Sequence, residues 1–72
     1  MNRRELLAQL ESQIAQCEAL IARHHEIIRN AQQKGRDASW AKDTLKALEK
    51  SLPAFQKHRQ LIIDQLKGAE ER

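Results

Sequence analysis

Apolar residues recur along the chain at alternating three- and four-residue steps, in two runs separated by one break. The first run is Leu7, Leu10, Ile14, Cys17, Ile21, His24, Ile28 and Ala31. The second is Ala38, Ala41, Leu45, Leu48, Leu52, Phe55, Arg59, Ile62, Leu66 and Ala69. This spacing keeps one side chain per helical turn on a single seam, the a and d positions of a heptad. The break, Lys34-Gly35-Arg36-Asp37, holds a glycine suited to the left-handed residue that ends a helix and an aspartate suited to capping the next. The pattern predicts an all-α fold, a two-helix antiparallel hairpin forming a single domain over 1–72, with helix 1 over about 3–34 and helix 2 over about 38–67. Asn2 is the expected cap of helix 1, and Asp37, with Ser39 as competitor, that of helix 2. Gly68 is expected to terminate helix 2, leaving Ala69 to Arg72 to fray.

Pro53 admits two readings, because an internal proline removes a backbone hydrogen bond and crowds the preceding turn. Either Ser51 caps a short third helix, or helix 2 continues with a kink. Leu48, Leu52, Phe55, Arg59 and Ile62 keep the seam spacing through the proline, which then falls at an outward b position. The kinked, continuous helix is therefore expected.

Apolar residues also flank both seams. Leu6, Leu20 and Ile27 share the g position of helix 1, and Trp40, Ala47, Ala54 and Leu61 the c position of helix 2; Ala8, Ala15 and Ala22 form a small-residue row at b. A single partner helix uses about two sevenths of a helix surface, so wider apolar faces call for a second neighbour. The composition points the same way. The chain has 72 residues, 40% hydrophobic, with one Trp, one Phe and no Tyr, and a core of that size rarely leaves more than a few kcal/mol of stability. Cys17 has no partner for an intrachain disulfide and is expected as a small buried hydrophobe. The expected assembly is a homodimer, an antiparallel four-helix bundle, with a trimer also compatible. The expected interface comprises Leu7, Leu10, Ile14, Cys17, Ile21, His24, Ile28, Trp40, Leu45, Leu48, Leu52, Phe55, Arg59, Ile62 and Leu66.

Folding about Gly35 predicts Ile28 near Leu45, Ile21 near Leu52, Cys17 near Phe55 and Ile14 near Arg59. Two seam positions are polar. Arg59 is expected to lay its stem on the seam and reach Glu11 and Glu18. His24 is expected as a hydrogen-bonded core histidine; the sharper alternative, two copies facing across a dimer, would make assembly pH-sensitive. Trp40 is expected either as an exposed anchor for a partner or packed near Ile27 and Ala31.

Catalysis and metal binding find little material. His24-His25-Glu26 fails helical ligand spacing, since adjacent residues point about 100° apart. No phosphate-binding glycine loop is present, and a two-helix hairpin supplies no deep cavity for a nucleophile and base. No enzyme activity and no cofactor are expected. The formal net charge is +3, and Lys42, Lys46, Lys50 and Lys57 lie on the outer side of helix 2. They form the alternative functional reading, weak nucleic-acid binding, although Asp43, Glu49 and Asp64 interleave with them. The leading reading is a structural module that associates with itself and with an unidentified protein partner. No segment approaches about 18 consecutive apolar residues, and the opening segment does not fit a signal peptide, so no membrane association and a cytoplasmic location are expected.

Overall fold

The computed structural model describes residues 2–70 and contains two helices, α1 over Arg3–Gln33 and α2 over Ser39–Glu70. They pack against one another as an antiparallel hairpin measuring 60 × 17 × 15 Å.

Local chemistry sets the helix ends. The Asn2 side-chain oxygen accepts the Glu5 amide at 2.8 Å, the bond expected of an N-cap. At the other end of α1, Gly35 takes φ of +68°, where a side chain would clash with its own backbone. Around it, Arg36 N–H donates to Ala31 C=O at 2.8 Å and Gly35 N–H to Gln32 C=O at 3.3 Å. That pair of bonds is the Schellman closure, which satisfies the last carbonyls of the helix. At the start of α2 the N-cap position falls to Ala38, whose carbonyl accepts Lys42 N–H at 3.0 Å, and neither Asp37 nor Ser39 occupies it. Asp37, one residue earlier, still satisfies a free donor of the first turn, its carboxylate accepting the Ser39 amide at 2.9 Å and the Ser39 hydroxyl at 3.1 Å.

α2 runs unbroken through Pro53. Ser51 donates its hydroxyl backward to Ala47 C=O at 3.0 Å, so it serves the preceding turn and does not cap a new helix. The expected stop at Gly68 is not found. α2 continues to Glu70, because a glycine can also adopt helical angles and Gly68 has no positive φ. Ala69 is therefore helical, whereas the expected fraying of residues 71 and 72 lies outside the described residues.

The seam is where the spacing placed it. Leu10, Ile14, Cys17, His24, Ala38, Ala41, Leu45 and Ile62 are buried, and Ala41 is 0% exposed. Leu7, Ile21, Ile28, Ala31, Leu48, Leu52, Phe55, Arg59 and Leu66 are half-buried; of the seam positions only Ala69 is exposed.

Contacts between the helices set the register along the seam. Cys17 Sγ donates to Leu48 C=O at 3.5 Å, and Leu48 and Phe55 both line the groove beside Cys17, as expected for Phe55. His24 meets Trp40 edge-on at 6.2 Å between ring centroids, and Arg3 Nε donates to Gln65 Oε1 at 3.0 Å. The Arg36–Ala31 bond sends the chain back along α1, so α2 starts beside the last turns of α1 and not beyond them. At the far end Arg3 lines a depression with Gln65, Gly68 and Ala69, so the start of α1 and the last turn of α2 lie together, and the hairpin is 60 Å long.

Candidate functional site

A lone hairpin leaves much surface in water. The chain exposes 5642 Å², against roughly 4,600 Å² for a compact monomer of 8.3 kDa. The location of the apolar part of that excess defines the candidate site.

Among the described residues, three large apolar side chains are exposed: Leu20 at 43%, Trp40 at 59% and Leu61 at 54%. All lie at c or g positions, and the structure brings the two flanks to one side. Gln13 and Leu20 of α1 line one shallow groove of about 250 Å³ with Ser51 of α2, and Cys17, Leu48 and Phe55 complete it. Nearer the turn, Ile27 and Ala31 line a depression of about 310 Å³ with Ala38 and Trp40. Trp40 stands out into solvent and also borders Ile27 and Ala31.

Within the helices, acidic residues and lysines are absent from this face; at the turn Lys34, Arg36 and Asp37 border its depression. Within the two helices, Arg23 is the one formally charged residue at any c or g position. The others there are apolar, small or neutral polar, among them Gln13, Gln16, Thr44, Ala47, Ser51, Ala54 and Gln65, with His58 counted as neutral. Every other helical charge off the seam falls at b, e or f, on the remaining surface. An ordinary solvated face intersperses both signs of charge. A contiguous uncharged strip with exposed Leu and Trp is the composition of an interface centre. No single motif announces this face; the signal is the joint absence of Asp, Glu and Lys from two heptad positions on both helices.

The polar seam residues settle locally. His24 donates Nδ1–H to Leu20 C=O at 2.7 Å, which places the proton on Nδ1 and gives the hydrogen-bonded core histidine. Arg59 does not reach Glu11 or Glu18: its Nε is buried without a hydrogen-bond partner. Cys17 is a buried free thiol. The Ser39 backbone amide and then its hydroxyl hold the Asp37 carboxyl below its ordinary pKa.

Lys42, Lys46, Lys50 and Lys57 are all exposed, on the charged side of α2 and away from the uncharged strip. Among the described residues, no group of three His, Cys, Asp or Glu side chains is placed to hold a metal ion, and no helix is long and apolar enough to cross a membrane.

Comparison with protein-family models, with curated proteins and with solved structures finds no match.

Proposed function

We propose that this chain is an interaction module that self-associates, two hairpins meeting through their uncharged faces in a four-helix bundle. The observation that carries the reading is the segregation of charge: the side that exposes Leu20, Trp40 and Leu61 is the side without acidic residues or lysines in its helices. A face that must meet its own copy avoids like charges, since identical residues approach each other across a two-fold interface. The area suits the role. A face 60 × 17 Å has a projected area of about 1,000 Å², against about 800 Å² per partner in a stable interface. In such an assembly the charged sides, including Lys42, Lys46, Lys50 and Lys57, remain in solvent, available to a further protein partner.

Sedimentation equilibrium tests the reading. The wild-type chain is expected to run at twice the monomer mass at micromolar concentration, and Leu20→Glu combined with Leu61→Glu at the monomer mass with helical content retained. A wild-type monomer at all concentrations refutes the proposal. A trimer would keep the self-association and remove the two-fold arrangement.

A further inference from the structure

We propose that the depression at the turn docks an acidic peptide segment of another protein, one large apolar side chain seated beside Ile27 and Trp40 and carboxylates meeting Lys34, Arg36 and Arg23. The proposal goes beyond self-association and does not depend on it.

The depression pairs an apolar wall with a basic rim. Ile27, Ala31, Ala38 and Trp40 supply the wall, and Trp40 is 59% exposed beside it. The volume, about 310 Å³, is at the small end of ligand-binding pockets and suits a single side chain. An exposed Trp at the edge of such a pocket is the residue type that most often anchors a partner.

The rim selects the charge of that partner. Lys34 and Arg36 border the depression and are exposed, and among the described residues neither side chain has a hydrogen-bond or ion-pair partner. Asp37 is the one carboxylate at the rim. It is engaged by the Ser39 amide and hydroxyl at the start of α2, and Lys42 lies close enough to favour its charge. The rim therefore keeps an excess of positive charge. Arg23 extends it. This arginine is the one charged residue at any c or g position within the helices, and it lies one heptad before Asn30, which lines the depression. That is about 10 Å along α1. A small anion held at Lys34 does not span this distance. An extended segment with carboxylates on both sides of its apolar residue does, and its charge complements the rim.

Other occupants suit this end less well. A second copy brings cations: its turn repeats Lys34 and Arg36, and at its other end Arg3, Arg4 and Lys67 outnumber Glu5 and Glu70. A nucleic-acid strand has the right charge but relies on several aromatic side chains to stack successive bases. Trp40 is the only Trp, and the only Phe, Phe55, is half-buried at a separate groove.

The single Trp makes binding directly readable. An acetylated, amidated pentapeptide, one leucine between two pairs of aspartates, is titrated into the full chain while Trp40 emission is followed. A saturable shift to shorter wavelength is expected, because the exposed indole becomes covered. Combining Arg23→Gln, Lys34→Gln and Arg36→Gln is expected to weaken binding about tenfold with helical content unchanged. Replacing the peptide's leucine by serine is expected to abolish the shift. Equal binding by a peptide with lysines in place of the aspartates overturns the proposal, as does unchanged binding by the triple variant. A shift with single-stranded oligothymidylate and none with the peptide also overturns it and assigns the depression to nucleic acid. The Leu20→Glu, Leu61→Glu chain separates the proposal from self-association. Its depression is intact, so it is expected to bind the peptide whether or not the wild type sediments as a dimer. No emission change in either chain at millimolar peptide overturns the docking proposal and leaves self-association standing.

Discussion

Pro53 offers the sharpest test of how α2 is held together. Replacing it by alanine restores an amide able to donate to the Glu49 carbonyl, and it removes the contact between the pyrrolidine ring and the preceding turn. Pro53 is exposed at an outward position, so the substitution takes nothing from the seam. Three effects set the magnitude. Proline is less favourable than alanine by about 3 kcal/mol in an ordinary helix interior. Some of that is relieved here, because the Glu49 carbonyl lies on an exposed turn where water substitutes for the missing donor. Against the gain, alanine loosens the unfolded chain by about 0.4–1 kcal/mol. The expected net is a stabilisation of about 1–2 kcal/mol, or roughly 4–15 °C in Tm for a domain of this size. Thermal unfolding followed by circular dichroism, at one fixed protein concentration, measures it. If Pro53→Ala lowers Tm, the reasoning fails: the proline would then be shaping the path of α2 so that Leu52 and Phe55 meet α1, and its removal would cost packing.

Ile14→Ala, at a buried seam position, should cost about 2–5 kcal/mol in urea denaturation, through lost burial plus the cavity left behind. Gly35→Ala should cost about 1–2 kcal/mol in the same measurement, because φ of +68° is imposed by the Schellman closure although space for a methyl group is open. For Asp37, the folded state favours the ionised form, so its contribution to the first turn of α2 is complete above the unfolded pKa of about 3.9 and is lost as pH falls through the lower folded value. An NMR titration should find the Asp37 carboxyl titrating below free aspartate, and Asp37→Ala should abolish the acid-dependent loosening at the start of α2; a carboxyl titrating at the ordinary value would contradict its bonds to Ser39.

Much of this architecture is legible in the residue order, and the rest resists for identifiable reasons. Leu10, Ile14, Leu45 and Ile62 reveal themselves because a helix buries one stripe and the stripe repeats. Continuity through Pro53 is legible for the same reason, since the seam keeps its phase across the proline. The register is not legible, because a shift of one heptad leaves the identity of every seam residue unchanged; the turn geometry around Arg36 and Ala31 decides it, and that geometry is not encoded in periodicity. Arg59 resists because periodicity places its stem on the seam without saying where its guanidinium ends. Gly68 was misread because glycine permits a stop without requiring one. The apolar flanks of the candidate interface were visible as rows at c and g. That they share a side, and that this side lacks acidic residues and lysines within the helices, emerges only once both helices are placed together.

The heptad spacing of the seam also determines which changes in length the molecule can absorb. Inserting or removing seven residues within a helix would translate its end by about 10 Å while keeping the same face toward its neighbour. A single-residue change would rotate everything beyond it by about 100° and carry the seam into solvent. Related chains built on this plan should therefore differ in helix length by whole heptads.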